Sequence, residues 1–501
     1  MSVLEVVGVL WLVVEYSIKV VALGTVPENR RPGSSSAWLL LIFFVPVVGL
    51  PLFLLLGSPW VTGRRHRVQQ QANAAVTERL ADVPALPEGQ VAGAHLASVL
   101  ALNRRLTALP CVPGLYHRLL DEDGLVSAMT AAVGAAERSV FVQFYIMALD
   151  ASTEPFFDAL RDAVARGVRV RLLFDHLGAR RYPGYRAMKQ RLSADGVAWY
   201  PMMPIDPLRG RWRRPDLRNH RKLLVVDGER AFTGSQNLID PTYLKAAHLR
   251  AGRRWVDLNV ELGGPVVKAL QAVFATDWYA EAGEVLADEI DDPDIPNAVE
   301  MALPAVSPAS TVTSAATRAG AFQVVPSGPG FPTEPNLRLF TSLIHAATTS
   351  VSIVSPYFVP DEALEQAITT AAYRGVAVEL FVSERADQFM VHHAQRSYYD
   401  PLLRAGVRIH CLPAPGVLHT KLLVVDSELA VIGSSNMDIR SFQLDYEVSL
   451  LGLEPTFVAD LEATVDAYRA ASFELTTEGW AQRSPLTRYL DNVMRLTAAL
   501  Q

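Results

Sequence analysis

The sequence predicts an α/β protein in which one sandwich with a mixed sheet is built twice, behind an N-terminal transmembrane helical hairpin. Three observations predict it. The N-terminus carries long apolar runs, three landmarks recur in the same order about 200 residues apart, and a His-x-Lys-x4-Asp motif stands at both His220 and His419.

The apolar N-terminus comes first. Half of the residues are hydrophobic and the mean hydropathy is +0.17, high for a soluble enzyme, so either part of the chain lies in lipid or the cores are unusually rich. From Ala37 to Gly57, 21 residues run without a charge, about the length that crosses a hydrocarbon core. Pro46 and Pro51 should kink that helix, and Trp38 and Trp60 bracket it as interfacial anchors would. The earlier run, Val3 to Val26, is interrupted by Glu5, Glu15 and Lys19. Glu15 and Lys19 stand four apart on one helical face, where pairing lowers the cost of burying charge in lipid. An interfacial amphipathic helix is the alternative for this run. Two spans give a hairpin over 1–62, with the rest of the chain on the side of the N-terminus. Arg64, Arg65 and Arg67 point to the cytoplasmic side, and Arg30 and Arg31 in the intervening loop oppose it.

The rest of the 501 residues is too long for one ordinary domain. ArgGlyVal at 166–168 opens an apolar strand-like run, and ArgGlyVal at 374–376 opens another, 208 residues on. AlaAspGlyVal at 194–197 is matched by ArgAlaGlyVal at 404–407, an offset of 210. AsnHisArgLysLeuLeuValValAsp at 219–227 returns as LeuHisThrLysLeuLeuValValAsp at 418–426, an offset of 199. Helical patterns around 155–166 and 361–374 alternate with β-rich runs, the order of an α/β sandwich. The expected parts are a connecting region at 63–125, a first repeat at 126–280, an acidic, Pro/Ser/Thr-rich linker at 281–320 and a second repeat at 321–501.

The motifs carry the chemistry. Residues i and i+2 of a strand share a face, so His220 with Lys222, and His419 with Lys421, should point together into one cleft. LeuLeuValVal after each pair reads as a strand buried on both faces. Asp227 and Asp426 close the motifs at odd spacing, which leaves a structural or turn role open for them. Downstream, Ser235 and Asn237, and again Ser434 and Asn436, follow a glycine and can donate hydrogen bonds to phosphoryl oxygens. Asn259, Glu261 and Glu447 are candidate partners that would fix a histidine tautomer and stabilise imidazolium. Such parts suit metal-free phosphoryl transfer: one histidine attacks phosphorus, the other protonates the leaving alcohol, and two lysines neutralise the equatorial oxygens. No second His or Cys at ligand spacing accompanies either motif, so no metal is expected. The two cysteines, Cys111 and Cys411, make no disulfide framework, and a reducing compartment is expected. A net charge of −6 argues against non-specific nucleic-acid binding.

The paired motifs resemble the HKD signature of the phospholipase D superfamily and, more narrowly, the chain resembles its bacterial cardiolipin synthases. The matching blocks include GluAsnArgArgPro at 28–32, GlnPheTyrIle at 143–146, ArgAsnHisArgLys at 218–222, SerProTyrPheValProAsp at 355–361, ArgSerTyrTyr at 396–399 and SerSerAsnMetAspIleArgSerPhe at 434–442. The resemblance implies a phospholipase D-like fold and the joining of two phosphatidylglycerol molecules into cardiolipin and glycerol, without nucleotide, metal or other cofactor. It puts His220, Lys222, Asp227, His419, Lys421 and Asp426 in the active site, with His220 as nucleophile and His419 as acid/base by analogy, although nothing in the sequence itself separates the two. It further implies a bacterial inner-membrane, multi-pass protein with a cytoplasmic catalytic domain. The partners are then phosphatidylglycerol and other membrane lipids, not nucleic acid, and the oligomeric state stays open. A hydrolase using water as acceptor is the principal rival. Thr420, and the length and acidity of the 281–320 linker, depart from the family pattern.

Overall fold

The computed structural model describes residues 3–28, 32–57, 67–74, 84, 86–87, 93–206, 211–286 and 320–497. Trp60, Arg30, Arg31, Arg64, Arg65 and most of the 281–320 segment lie outside them. The chain forms two compact units, Met1–Gly63 with Ile205–Asp216, and Arg64–Pro204 with Leu217–Gln501.

In the first unit, α1 (Val3–Thr25) is a single apolar helix, and Lys19 Nζ meets Glu15 Oε1 at 2.5 Å, the pairing expected from their spacing. Among the described residues it is the one helix long and apolar enough to cross a membrane. The run expected as a second straight span is divided into α2 (Pro32–Phe44) and α3 (Pro46–Leu52), with a π turn at Phe53–Gly57. In a straight helix Trp38 and Phe53 would stand about 22 Å apart. Their rings instead meet at 5.6 Å, so the chain doubles back at Pro46, where the missing N–H and the ring break the ladder.

The second unit is organised by a sheet of sixteen strands that runs through both repeats. The first half contributes β1 (Cys111–Asp121), β2 (Ser139–Phe144), β3 (Arg169–Asp175), β4 (Ala198–Met202), β5 (Leu223–Val226), β6 (Arg230–Gly234) and β7 (Leu258–Gly263). The second contributes β8 (Gly320–Ser327), β9 (Ser350–Val354), β10 (Ala377–Ser383), β11 (Arg408–Leu412), β12 (Leu422–Val425), β13 (Leu429–Gly433) and β14 (Asp445–Gly452). Parallel β2–β3–β4 recurs as parallel β9–β10–β11, and antiparallel β5 on β2 recurs as β12 on β9. The halves join where β1 pairs antiparallel with β8, Cys111 facing Gln323. β1 also pairs antiparallel with β7, so this strand from the expected connecting region lies within the sheet.

Helices cover both faces, which is why LeuLeuValVal is buried throughout in β5 and β12. On one face α4 (Leu125–Gly134) and α5 (Glu154–Ala165) pack by Met129, Phe156, Phe157 and Leu160. Their counterparts α6 (Pro335–Ala346) and α7 (Glu362–Tyr373) pack by Phe340, Leu343, Leu364 and Ile368. On the other face α8 (Val266–Ala282) and α9 (Pro455–Ala471) share one core. There Phe274 stacks on Phe141 at 4.9 Å and Phe457 meets Phe322 edge-on at 5.4 Å. One core spanning both halves makes the repeats a single folding body.

Candidate active site

His220 and His419 each sit just before a buried strand rather than within it, in extended backbone ahead of β5 and β12. Each is fixed by the opposite half of the chain. The His220 N–H donates to the Tyr446 carbonyl and the His419 N–H to the Val256 carbonyl, both at 2.8 Å. Arg218–Asn219 pairs parallel with Asp445–Tyr446, as Gly416–Leu418 does with Arg254–Val256. Two reciprocal crossings thus carry both motifs into one cleft.

The side chains cross over in the same way. His220 Nδ1 lies 3.0 Å from Glu447 Oε1 and 3.2 Å from the Ser434 carbonyl. His419 Nδ1 lies 2.6 Å from Asp257 Oδ1. Behind each acid stands a serine: Ser434 Oγ donates to Glu447 Oε2 at 2.5 Å, and Ser235 Oγ to Asp257 Oδ1 at 2.6 Å. A Cβ on Gly433 or Gly234 would strike the carbonyl of Val448 or Leu258, so the bare backbone is what lets each serine reach its acid. With Nδ1 occupied on both rings, Nε2 is the nitrogen left for chemistry.

The lysines stay beside their histidines, on irregular backbone ahead of the strand rather than on a strand face. Lys222 Nζ donates to the His220 carbonyl at 2.5 Å and Lys421 Nζ to the His419 carbonyl at 2.6 Å, so each ammonium returns to its own histidine. Burial pushes Lys222 down to about 8, and burial together with Lys222 pushes Lys421 down to about 7. Burial, with the charges of Lys222, Lys421 and His419, holds His220 well below the ordinary imidazole range. Burial also lowers His419, opposed by the Asp257 charge. The two acids diverge. Burial lifts Glu447 to about 7 against the pull of Lys222, whereas contacts with His419, Lys421 and Ser235 overcome burial and hold Asp257 below the usual carboxylate range. Both imidazoles are therefore held toward the neutral form, and the pairs differ in their acids, Glu447 lifted toward protonation and Asp257 held ionised and able to support a positive charge on His419 as it forms.

Asp257 escaped the sequence reading because the halves differ in length here. Its serine stands 22 residues upstream, whereas 13 separate Ser434 from Glu447, so a constant offset from Glu447 lands on His248. The usable signal is an acid at the N-terminal end of the corresponding buried strand in both copies, Asp257 just before β7 and Glu447 the third residue of β14. The expected candidates nearby serve otherwise. Glu261 is held by Arg118 at 2.8 Å and by Arg230, and Asn259 donates to Gln236 at 3.0 Å. Asn237 is also occupied, accepting from the Ile146 N–H at 3.1 Å and donating to the Tyr243 hydroxyl at 2.8 Å. Asn436 is buried, and its Oδ1 has no hydrogen-bond partner among the described residues.

Asp227 and Asp426 lie at the far ends of β5 and β12, roughly 16 Å along the strand from the lysines. Asp227 accepts from the Glu137, Arg138 and Ser139 N–H groups at 2.8–2.9 Å, and Asp426 from those of Thr348, Thr349 and Ser350 at the same distances. Both adopt positive φ, 53° and 54°. They tie the turn after the motif strand to the start of its neighbour, and the structural role left open by their odd spacing is the one the fold gives them.

Fold and site together define a phospholipase D-like protein with one composite site. The phospholipase D-like domain of the cardiolipin synthase family matches residues 129–278 and 340–468, and a phospholipase D-nuclease N-terminal family matches 16–58. Cardiolipin synthase A of Proteus mirabilis is 32% identical over 474 residues, covering 93% of this chain and 92% of that protein. Cardiolipin synthase A of Yersinia pestis is also 32% identical, covering 92% of each. The crystal structure of a Haemophilus influenzae phosphatidylserine synthase superposes with a TM-score of 0.57 at 16% identity, covering 80% of this chain and 99% of that one, a likeness of fold. The chain belongs to the cardiolipin synthase family of phospholipase D-like proteins.

Proposed function

We propose that the protein transfers a phosphatidyl group between two phosphatidylglycerol molecules, giving cardiolipin and glycerol. The observation that carries this reading is the pair of buried histidines, each oriented by an acid from the opposite half, in a chain with cardiolipin synthases as full-length relatives.

His220, held neutral, attacks phosphorus of the first lipid through Nε2. The P–O bond to the headgroup glycerol breaks, and His419 gives its Nε2 proton to the departing oxygen. The phosphatidyl group now rests on His220. His419 then takes the proton of a headgroup hydroxyl on the second lipid, whose oxygen attacks phosphorus as the P–N bond breaks. Lys222 and Lys421 neutralise the equatorial oxygens throughout. The different states of Glu447 and Asp257 favour this division of roles. Water in place of the second lipid would give phosphatidic acid, so excluding it decides the product.

In this reading α1 and the α2–α3 pair anchor a multi-pass protein in a bacterial inner membrane, with the catalytic unit on the cytoplasmic side. Incubating the purified chain with phosphatidylglycerol in detergent micelles tests the reaction. Cardiolipin with an equal amount of glycerol is expected, and phosphatidic acid as the main product would defeat it.

A further inference from the structure

One carboxylate in the cleft takes no part in these steps. Asp445 opens β14 two residues before Glu447, so the two side chains share a strand face. It is 6% exposed, and its charge acts on Lys222 and on Tyr145, whose ring packs edge-on against His220 at 4.8 Å. Arg440 Nε reaches Oδ2 at 3.3 Å, while Oδ1 is buried with no hydrogen-bond partner among the described residues. Lys222 Nζ donates to the His220 carbonyl and makes no hydrogen bond to Oδ1. An acceptor left unpaired keeps the full penalty of losing its water, and folded proteins keep few of them.

The equivalent position in the other half carries no carboxylate. The strand crossings equate Tyr446 with Val256, since their carbonyls receive the two motif histidines, and so equate Asp445 with Trp255. Trp255 is buried against Tyr243 and His248, with ring centroids at 4.5 and 4.7 Å. One side of a near-symmetric cleft is aromatic, and the other offers an unused acceptor. A phosphoryl group brings only acceptors and cannot satisfy an ionised Oδ1, whereas an alcohol brings both a donor and an acceptor and suits the carboxyl in either protonation state. Burial lifts the Asp445 carboxyl to about 8 against the pull of Arg440, and in either protonation state it keeps an oxygen that accepts a hydrogen bond from a hydroxyl.

We propose that Asp445 is a specificity-determining residue that accepts a hydrogen bond from a free hydroxyl of the glycerol headgroup in the cleft. The inference rests on the phosphatidylglycerol reading and adds to it the residue that tells a polyol from a simple alcohol.

The test uses the full chain in phosphatidylglycerol micelles with two competing acceptors, isotopically labelled glycerol and 1-propanol. Labelled phosphatidylglycerol and phosphatidylpropanol report the two transfers. Asp445→Leu should lower the glycerol-to-propanol product ratio about tenfold, the worth of one hydrogen bond, and Asp445→Asn, which keeps an acceptor oxygen, should recover part of it. An unchanged ratio in Asp445→Leu overturns the assignment. So does an equal loss of both products, which would make the residue a support of the site. If the unsubstituted protein transfers to neither alcohol and makes no cardiolipin, the phosphatidylglycerol reading is what fails.

Discussion

His419 Nδ1 stands 2.6 Å from Asp257 Oδ1, across 162 residues of sequence and from one repeat to the other. Its counterpart, His220 on Glu447, crosses in the opposite direction at 3.0 Å over 227 residues. Neither repeat holds a complete acid–histidine pair, so each half is catalytically empty without the other. Asp257→Asn should keep the fold and lower kcat by about 10²–10⁴, because the amide cannot stabilise the imidazolium that His419 must form. Cardiolipin formation at saturating phosphatidylglycerol measures it. Near-normal kcat would show that the 2.6 Å contact orients nothing the reaction needs.

Lys421 sets the alkaline side of the pH profile. Burial and Lys222 push it down to about 7, opposed by Asp257, Glu447 and Asp438, and burial pushes Lys222 down to about 8. An amine with a lowered value is charged below that value and neutral above it. The ammonium that faces the equatorial oxygens is therefore lost as pH rises from 7 to 8, and kcat/KM should fall through that window. His220 is held well below the ordinary imidazole range and should impose no acid limb near neutrality. Lys421→Arg keeps its charge at any working pH, so its alkaline limb should move upward even if its rate is lower. A limb left in place in Lys421→Arg would assign it to another group.

Asp227 and Asp426 should separate stability from chemistry. Each ties down three backbone N–H groups at a turn with positive φ, far from the lysines. Removing either carboxylate leaves those donors without their acceptor, at a cost of about 1–3 kcal/mol. Asp227→Ala and Asp426→Ala should lower Tm while the folded fraction turns over at close to the normal kcat. Backbone and Thr348 hydrogen bonds outweigh burial and hold Asp426 down at about 2. Its stabilising effect is thus complete above the ordinary carboxylate range and is lost as pH falls toward 2. A hundredfold fall in kcat with Tm unchanged would return these residues to the chemistry.

Much of this was legible in the sequence, and the failures have physical causes. The repeat and the buried LeuLeuValVal strands follow from periodicity alone, and the fold has both. The cross-over of acids was only half legible. Glu447 stands near the start of an evident strand, but an unequal loop between Ser235 and Asp257 displaced its counterpart from the constant offset. Glu261 looked a suitable acid, yet Arg118 and Arg230 meet it across the sheet, a fact of tertiary pairing that no local pattern shows. The uncharged run from Ala37 to Gly57 has the length of a span, but Pro46 permits a fold-back that length and hydropathy cannot register.

The residue between His220 and Lys222 supports the site from behind. Arg221 is 1% exposed, and Nη1 meets Asp277 Oδ2 at 2.6 Å. Its Nε donates to the Glu447 carbonyl at 3.0 Å, so the guanidinium holds the backbone of the acid that orients His220. Asp277 also accepts from Gln143 Nε2 at 2.6 Å, which anchors this ion pair to β2. Asp277→Ala would leave the guanidinium buried opposite nothing, a loss of about 3–5 kcal/mol. Replacing both partners by apolar residues, Arg221→Met with Asp277→Leu, removes the stranded charge and should recover much of that stability. It should not recover kcat, because the Glu447 carbonyl then lacks its donor and the His220 pair loses its fixed backbone. Urea denaturation and initial rates on the same three proteins measure the two quantities. Recovery of both together would confine Arg221 to stability, and recovery of stability alone makes it a positioning residue.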